Sequence, residues 1–125
     1  MAHILVVDDD NGVRTAVRVV LEAEGFHVTE ARNGNEAVDR VRAEAPALII
    51  CDIFMPLKDG FDTIRELRRE FPAIPVVAVS GGERGGGMDV LRLARQLGAA
   101  DVLYKPLHFA GLIGVVRRLT PVKQV

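Results

Sequence analysis

The feature that most constrains this chain is an alternation. Short, dense apolar runs are separated by longer stretches with helical periodicity, and the pattern repeats from end to end. Ile4–Val7, Ala47–Cys51 and Val76–Val79 are rich in Val and Ile and read as buried strands. Val28 with its neighbours, after Gly25, and Val102–Tyr104, after Gly98, read as two weaker ones. Between the runs lie amphipathic segments. Val13, Ala16, Val17, Val20 and Leu21 share one helical face, with Arg14, Arg18 and Glu22 expected outside. Asp10 or Asn11 can cap that helix, and Gly25 can end it. Ala37, Val38 and Val41 mark a second helix, stopped before Pro46. Phe61, Ile64 and Leu67 mark a third, Leu91, Ala94 and Leu97 a fourth closed by Gly98, and Leu112, Val115, Val116 and Leu119 a fifth stopped before Pro121. Five βα units in succession predict an α/β domain whose parallel sheet is covered by helices on both faces.

Size and composition agree with one such unit. The chain has 125 residues, enough for a single core, and the reading places one domain over 1–120 with a short tail at 121–125. Hydrophobic residues make up 49% and charged residues 26%, which is globular and not disordered. Lys and Arg number 16 against 17 Asp and Glu, so neither nucleic acid nor an anionic membrane surface is an expected partner. No apolar run approaches the length of a membrane span, and the first one ends in three aspartates where a secretory leader would continue. The single cysteine, Cys51, has no internal partner, which suits a cytoplasmic setting.

Strands of a parallel sheet all point one way, so the residues just past them gather along one edge, where ligands of such sheets bind. Asp8 and Asp9 follow the first run, Asp52 the third, Ser80 the fourth and Lys105 the fifth. Three carboxylates in one place repel, so either a proton is retained or a divalent cation binds. All-oxygen donors of this kind suit Mg²⁺. A carboxylate, a hard cation, a lysine and a hydroxyl together form a plausible site for phosphoryl transfer, the carboxylate as nucleophile and the cations neutralising phosphoryl oxygens.

Beyond that chemistry, the chain resembles the receiver domains of two-component response regulators over essentially its whole length, in the manner of single-domain chemotaxis regulators. The resemblance rests on Val6-Val7-Asp8-Asp9, on Asp52 followed by Met55-Pro56 and Asp59-Gly60, and on Ser80, Gly98-Ala99 and Lys105-Pro106, in that order and spacing. It implies a flavodoxin-like five-stranded sheet of order 2-1-3-4-5. It implies that Asp52 accepts a phosphoryl group from a sensor histidine kinase or histidine phosphotransfer protein. Asp9, Asp52 and the backbone carbonyl of Phe54 would hold Mg²⁺, with Asp8 acting mainly through a water. Ser80 and Lys105 would grip the phosphoryl oxygens, and the Lys105–Pro106 bond would be cis. Enzymatic activity would be limited to the domain's own phosphorylation and dephosphorylation, and output, with no effector domain attached, would be docking on or relay to other proteins.

Two positions depart from the family pattern. The strand-five position that usually carries Tyr or Phe is Val102, and Tyr104, next to the lysine, should face elsewhere by alternation. The segment after Ser80 is Gly81–Gly87, with five glycines in seven residues, and is expected to be a mobile loop that orders on activation. Alternatives are a degenerate receiver that binds partners without phosphorylation, and a small Mg²⁺-dependent phosphohydrolase. Asp52-Ile53-Phe54 lacks the second acid that such a hydrolase would need two residues on. The remaining candidates read as structural. Asp10 is a cap, Asp59-Gly60 is turn chemistry, and Cys51 is a buried thiol pointing away from Asp52. His3, His27 and His108 lack metal-ligand spacing and read as edge or surface residues without a catalytic part. The glycine run does not match a nucleotide-binding loop.

Overall fold

A computed structural model describes residues 2–53, 60–81 and 87–121. Among the described residues five strands and five helices alternate: β1 His3–Val7, α1 Asn11–Ala23, β2 His27–Ala31, α2 Gly34–Ala43, β3 Leu48–Asp52, α3 Gly60–Glu70, β4 Val76–Ser80, α4 Gly87–Gln96, β5 Asp101–Tyr104 and α5 Phe109–Leu119. Every strand pair is parallel, and the order across the sheet is β2-β1-β3-β4-β5, the expected flavodoxin-like topology. The order reverses between β1 and β3, so the switch point of the sheet lies at the ends of those two strands.

Each strand sends alternate side chains to opposite faces, and a core forms on each. Leu5, Val7, Ile49, Cys51 and Ala78 pack with Val38 and Val41 of α2, Ile64 and Leu67 of α3, and Ala94 of α4. Ile4, Val6, Ile50, Val77 and Val79 pack with Val17 and Leu21 of α1 and with Leu112 and Val116 of α5. Both faces of β1, β3 and β4 are therefore covered, which is why those runs are continuously apolar. Each fully buried Val, Leu or Ile contributes about 1.5–3 kcal/mol.

Local signals set the helix limits. The Asp10 carboxylate accepts from the amides of Gly12 at 2.8 Å and Val13 at 3.2 Å, which makes it the cap of α1 in preference to Asn11. Gly25 and Gly98, at φ 93° and 100°, turn the chain out of α1 and α4 in the left-handed region that glycine reaches without a steric penalty. One expectation for α1 is overturned. Arg18 and Glu22 lie on its outer side, but Arg14 is buried, at 6% exposure. Its guanidinium lies among oxygen partners at the end of the sheet, so the positive charge is compensated where periodicity alone would put it in water.

Candidate functional site

The C-terminal edge of the sheet collects the sequence-derived residues. Val7 pairs with Cys51, so Asp8 and Asp52 leave adjacent strands side by side. Asp52 pairs with Val79, and Ser80 stands one residue further along β4. Ser80 pairs in turn with Tyr104, and its carbonyl accepts from the Lys105 amide at 2.8 Å. Asp8, Asp52 and Ser80 are buried, whereas Asp9 is exposed at the mouth. One carboxylate oxygen from each of Asp8, Asp9 and Asp52 lies within 4.8 Å of the others. The Lys105 ammonium reaches into this group from β5 and stands 3.0 Å from Asp8 Oδ2 and 3.2 Å from Asp52 Oδ2. The Lys105–Pro106 bond is cis.

The electrostatics follow from that packing. Burial raises the affinity of Asp8 for a proton, and the Asp52 charge adds to this. The Asp10 amide, donating to Asp8 Oδ1 at 2.9 Å, and Lys105 pull the other way without cancelling it. Burial acts to discharge Lys105, but Asp8 and Asp52 outweigh it and hold the ammonium more firmly protonated than usual. Among the described residues the group sets three carboxylates against the ammonium of Lys105. Its donors are hard oxygens, two of them buried, with an exposed third at the opening, and they fit a hard divalent cation.

Two supporting residues were not legible as such in the sequence. Arg14 donates to the Asp8 carbonyl at 2.7 Å, to Glu30 Oε1 at 3.0 Å and to Asn11 Oδ1 at 2.6 Å, so it fixes the main chain from which Asp8 and Asp9 project. Gly60 lies against the end of β3. A Cβ there would sit 2.1 Å from Ile53 Cα and 2.4 Å from the Asp52 carbonyl oxygen, so the residue permits a close backbone approach directly behind Asp52. A conspicuously placed glycine beside the acceptor segment was the available signal, although turn chemistry accounted for it equally well.

The expected departures also have positions. Val102 is buried opposite Ala78, and Tyr104 is 41% exposed and turned outward. Cys51 is fully buried on the face away from Asp52, and burial, then the charges of Asp52 and Asp8, push its thiol far above the usual range. Phe54, Met55, Pro56 and Asp59 fall outside the described residues, as does 82–86 of the glycine run.

Residues 4–117 match the model of the response regulator receiver domain. Response regulator MprA of Mycolicibacterium vanbaalenii is 34% identical over 127 residues, an alignment that covers 95% of this chain and 52% of that protein. The transcriptional regulatory protein ZraR of Klebsiella oxytoca is 38% identical over 106 residues, covering 85% of this chain and 23% of ZraR. The chain therefore spans about half or less of the length of these two relatives. Among solved structures, the receiver domain of NtrX from Brucella abortus superposes with a TM-score of 0.88 at 31% identity, covering 96% of this chain and 99% of that one. The chemotaxis protein CheY4 of Vibrio cholerae superposes with a TM-score of 0.85 at 26% identity, covering 95% and 98%.

Proposed function

The chain belongs to the response regulator receiver domain family, the phosphorylation-controlled switches of two-component systems, and from that premise we propose that Asp52 is its phosphoacceptor. The observation that carries this reading is the position of Lys105, whose ammonium lies between Asp8 and Asp52 at the open edge of the sheet, with Asp9 beside them.

In this reading an Asp52 oxygen attacks the phosphorus of a phosphohistidine on a sensor kinase or phosphotransfer protein. An O–P bond forms as the N–P bond breaks, leaving an acyl phosphate on Asp52 and a free imidazole on the donor. Asp9 and Asp52, with the Phe54 carbonyl that the family resemblance implies and with Asp8 acting mainly through a water, would hold Mg²⁺, which would supply positive charge to the phosphoryl oxygens. Lys105 exchanges its contact with the Asp52 carboxylate for the incoming phosphoryl oxygens. The Ser80 hydroxyl donates to another of them. Lys105 and the Asp10 amide oppose, without cancelling, the effect of burial on Asp8. The chain's own chemistry is confined to gaining and losing this phosphoryl group. Output is cytoplasmic docking on other proteins or relay to a phosphotransfer histidine. Because Val102 offers no ring to rotate behind Ser80, the change at Ser80 is read through the segment that follows it.

The test is incubation with a small phosphodonor such as phosphoramidate and Mg²⁺, followed by intact-mass measurement. A gain of one phosphoryl group in the wild type and none in Asp52→Asn is expected. Equal gain in the variant would move the acceptor elsewhere. No gain in the wild type would leave a degenerate receiver, and turnover of added phosphoesters would indicate a hydrolase.

A further inference from the structure

At the opposite pole of the sheet the structure assembles a second group of metal-ligating side chains. His3 opens β1 and His27 opens β2, and the two are direct partners in the parallel register, so their imidazoles emerge on the same face. The ring centroids are 4.9 Å apart. Glu44 arrives from the end of α2, its carboxylate 3.7 Å from His3 Nδ1. One ligand atom from each of the three lies within 4.8 Å of the others.

The state of His3 points to a ligand. Its Nε2 bonds to Thr29 Oγ1 at 2.8 Å. Its Nδ1 is buried and has no hydrogen-bond partner among the described residues. Beyond hydrogen-bond distance, Nδ1 faces the Glu44 carboxylate at 3.7 Å. With the proton on Nε2, donated to Thr29, Nδ1 turns its lone pair toward Glu44. A metal ion held between that nitrogen and the carboxylate would satisfy both. A ligand imidazole donating its other N–H to an oxygen is also the arrangement that orients metal-binding histidines.

We propose that His3, His27 and Glu44 form a binding site for a divalent transition metal ion, with Zn²⁺ the ion that its donors suit best. Two imidazoles and a carboxylate are a zinc donor set and a poor one for Mg²⁺, which asks for oxygen. The two poles of the sheet thus sort cations by donor type. Tetrahedral zinc with bonds of about 2.0–2.1 Å needs donors roughly 3.4 Å apart, so no separation within the group has to close by more than about 1.4 Å. His27 and Glu44 are both exposed and can make that adjustment by side-chain rotation, while His3 stays fixed by Thr29. Three protein ligands leave a fourth position to water. The bound ion would clamp the starts of β1 and β2 to the α2–β3 connection.

The site is tested by titrating the metal-stripped chain with Zn²⁺ alone, in excess Mg²⁺ so that the acidic pocket is occupied. One Zn²⁺ per chain and zinc-dependent shifts of the His3 and His27 imidazole resonances are expected. His27→Gln, Glu44→Gln and Thr29→Val should each weaken binding on the order of tenfold or more. Asp9→Asn should leave it unchanged. Zinc binding that disappears in excess Mg²⁺, or that stays within about twofold of wild type in both His27→Gln and Glu44→Gln, would overturn the assignment. The imidazole resonances report on His3 directly, without a substitution inside β1.

Discussion

The Arg14 guanidinium donates from Nη1 to the main-chain carbonyl of Asp8 at 2.7 Å, tying the first turns of α1 to the end of β1. The same side chain reaches Glu30 on β2 and Asn11 on its own helix. Truncation to Met would strand a buried carbonyl, whereas Glu30 would keep Arg18 as a partner. Arg14→Met is therefore expected to cost about 1–3 kcal/mol in urea unfolding, less than breaking an isolated buried pair. Because the Asp8 main chain is freed, Mg²⁺ affinity should also drop on the order of tenfold. Arg14→Lys keeps the charge without the planar fork and should recover part of the stability and little of the metal affinity. Wild-type values of both quantities in Arg14→Met would show that the contact positions nothing.

Gly60 gives a steric prediction. A methyl group there meets main chain at 2.1 Å and 2.4 Å, and backbone cannot swing aside as a flexible side chain would. Either α3 moves off β3 or the end of β3 shifts. Gly60→Ala should destabilise by about 3 kcal/mol, at the upper end of overpacking costs. It should also lose phosphoryl labelling of Asp52 under conditions where the chain is still folded. A variant with normal stability and labelling would exclude the close approach.

Asp9 and Asp10 are neighbours with separable tasks. Asp10 caps α1 through two amides, and Asp10→Ala should lower stability by about 1 kcal/mol with little change in Mg²⁺ affinity. Asp9 caps nothing and belongs to the acidic group. Asp9→Asn should leave metal-free stability equal or slightly raised, by relief of repulsion, and should abolish the stabilisation that Mg²⁺ confers. Thermal unfolding in Mg²⁺ and in EDTA measures both. Loss of the Mg²⁺ effect in Asp10→Ala but not in Asp9→Asn would reverse the assignment.

How much of this could be read from the sequence depends on whether the feature is local. The apolar runs and helical faces are local, so all five strands and all five helices were legible to within a few residues. The acidic pocket was legible because a parallel sheet gathers the ends of β1, β3, β4 and β5 along one edge, whatever the strand order. Arg14 was misplaced because periodicity assigns a face but cannot see that the boundary of that face holds the Asp8 carbonyl and Glu30. Gly60 was read as turn chemistry because a close approach to Ile53 is visible only once α3 is packed. His3 and His27 lack ligand spacing along the chain and acquire it only through the register of β1 with β2. Glu44 joins them from the end of α2, a third segment that sequence periodicity does not place beside those two strands.

Cys51 offers a measurement that needs neither kinase nor partner. Its thiol is fully buried in the core on the face of β3 away from Asp52, and burial holds it far from ionisation. Alkylation requires the thiolate, so labelling of the native chain should proceed only through molecules that have opened. The labelling rate then follows the population of the open form when closing is fast relative to labelling. A ligand that binds only the closed form lowers that population by the factor 1 + [L]/Kd, so Mg²⁺ should slow labelling by an amount set by its affinity. Asp9→Asn, lacking the proposed Mg²⁺ ligand, should show the same slow labelling with and without Mg²⁺. Zn²⁺ at the opposite pole should slow labelling in the Asp9→Asn chain and should fail to do so once Glu44→Gln is added. Rapid labelling of the native wild type, insensitive to urea and to either metal, would mean that the thiol is reached without opening and that the core around Asp52 is looser than its packing implies.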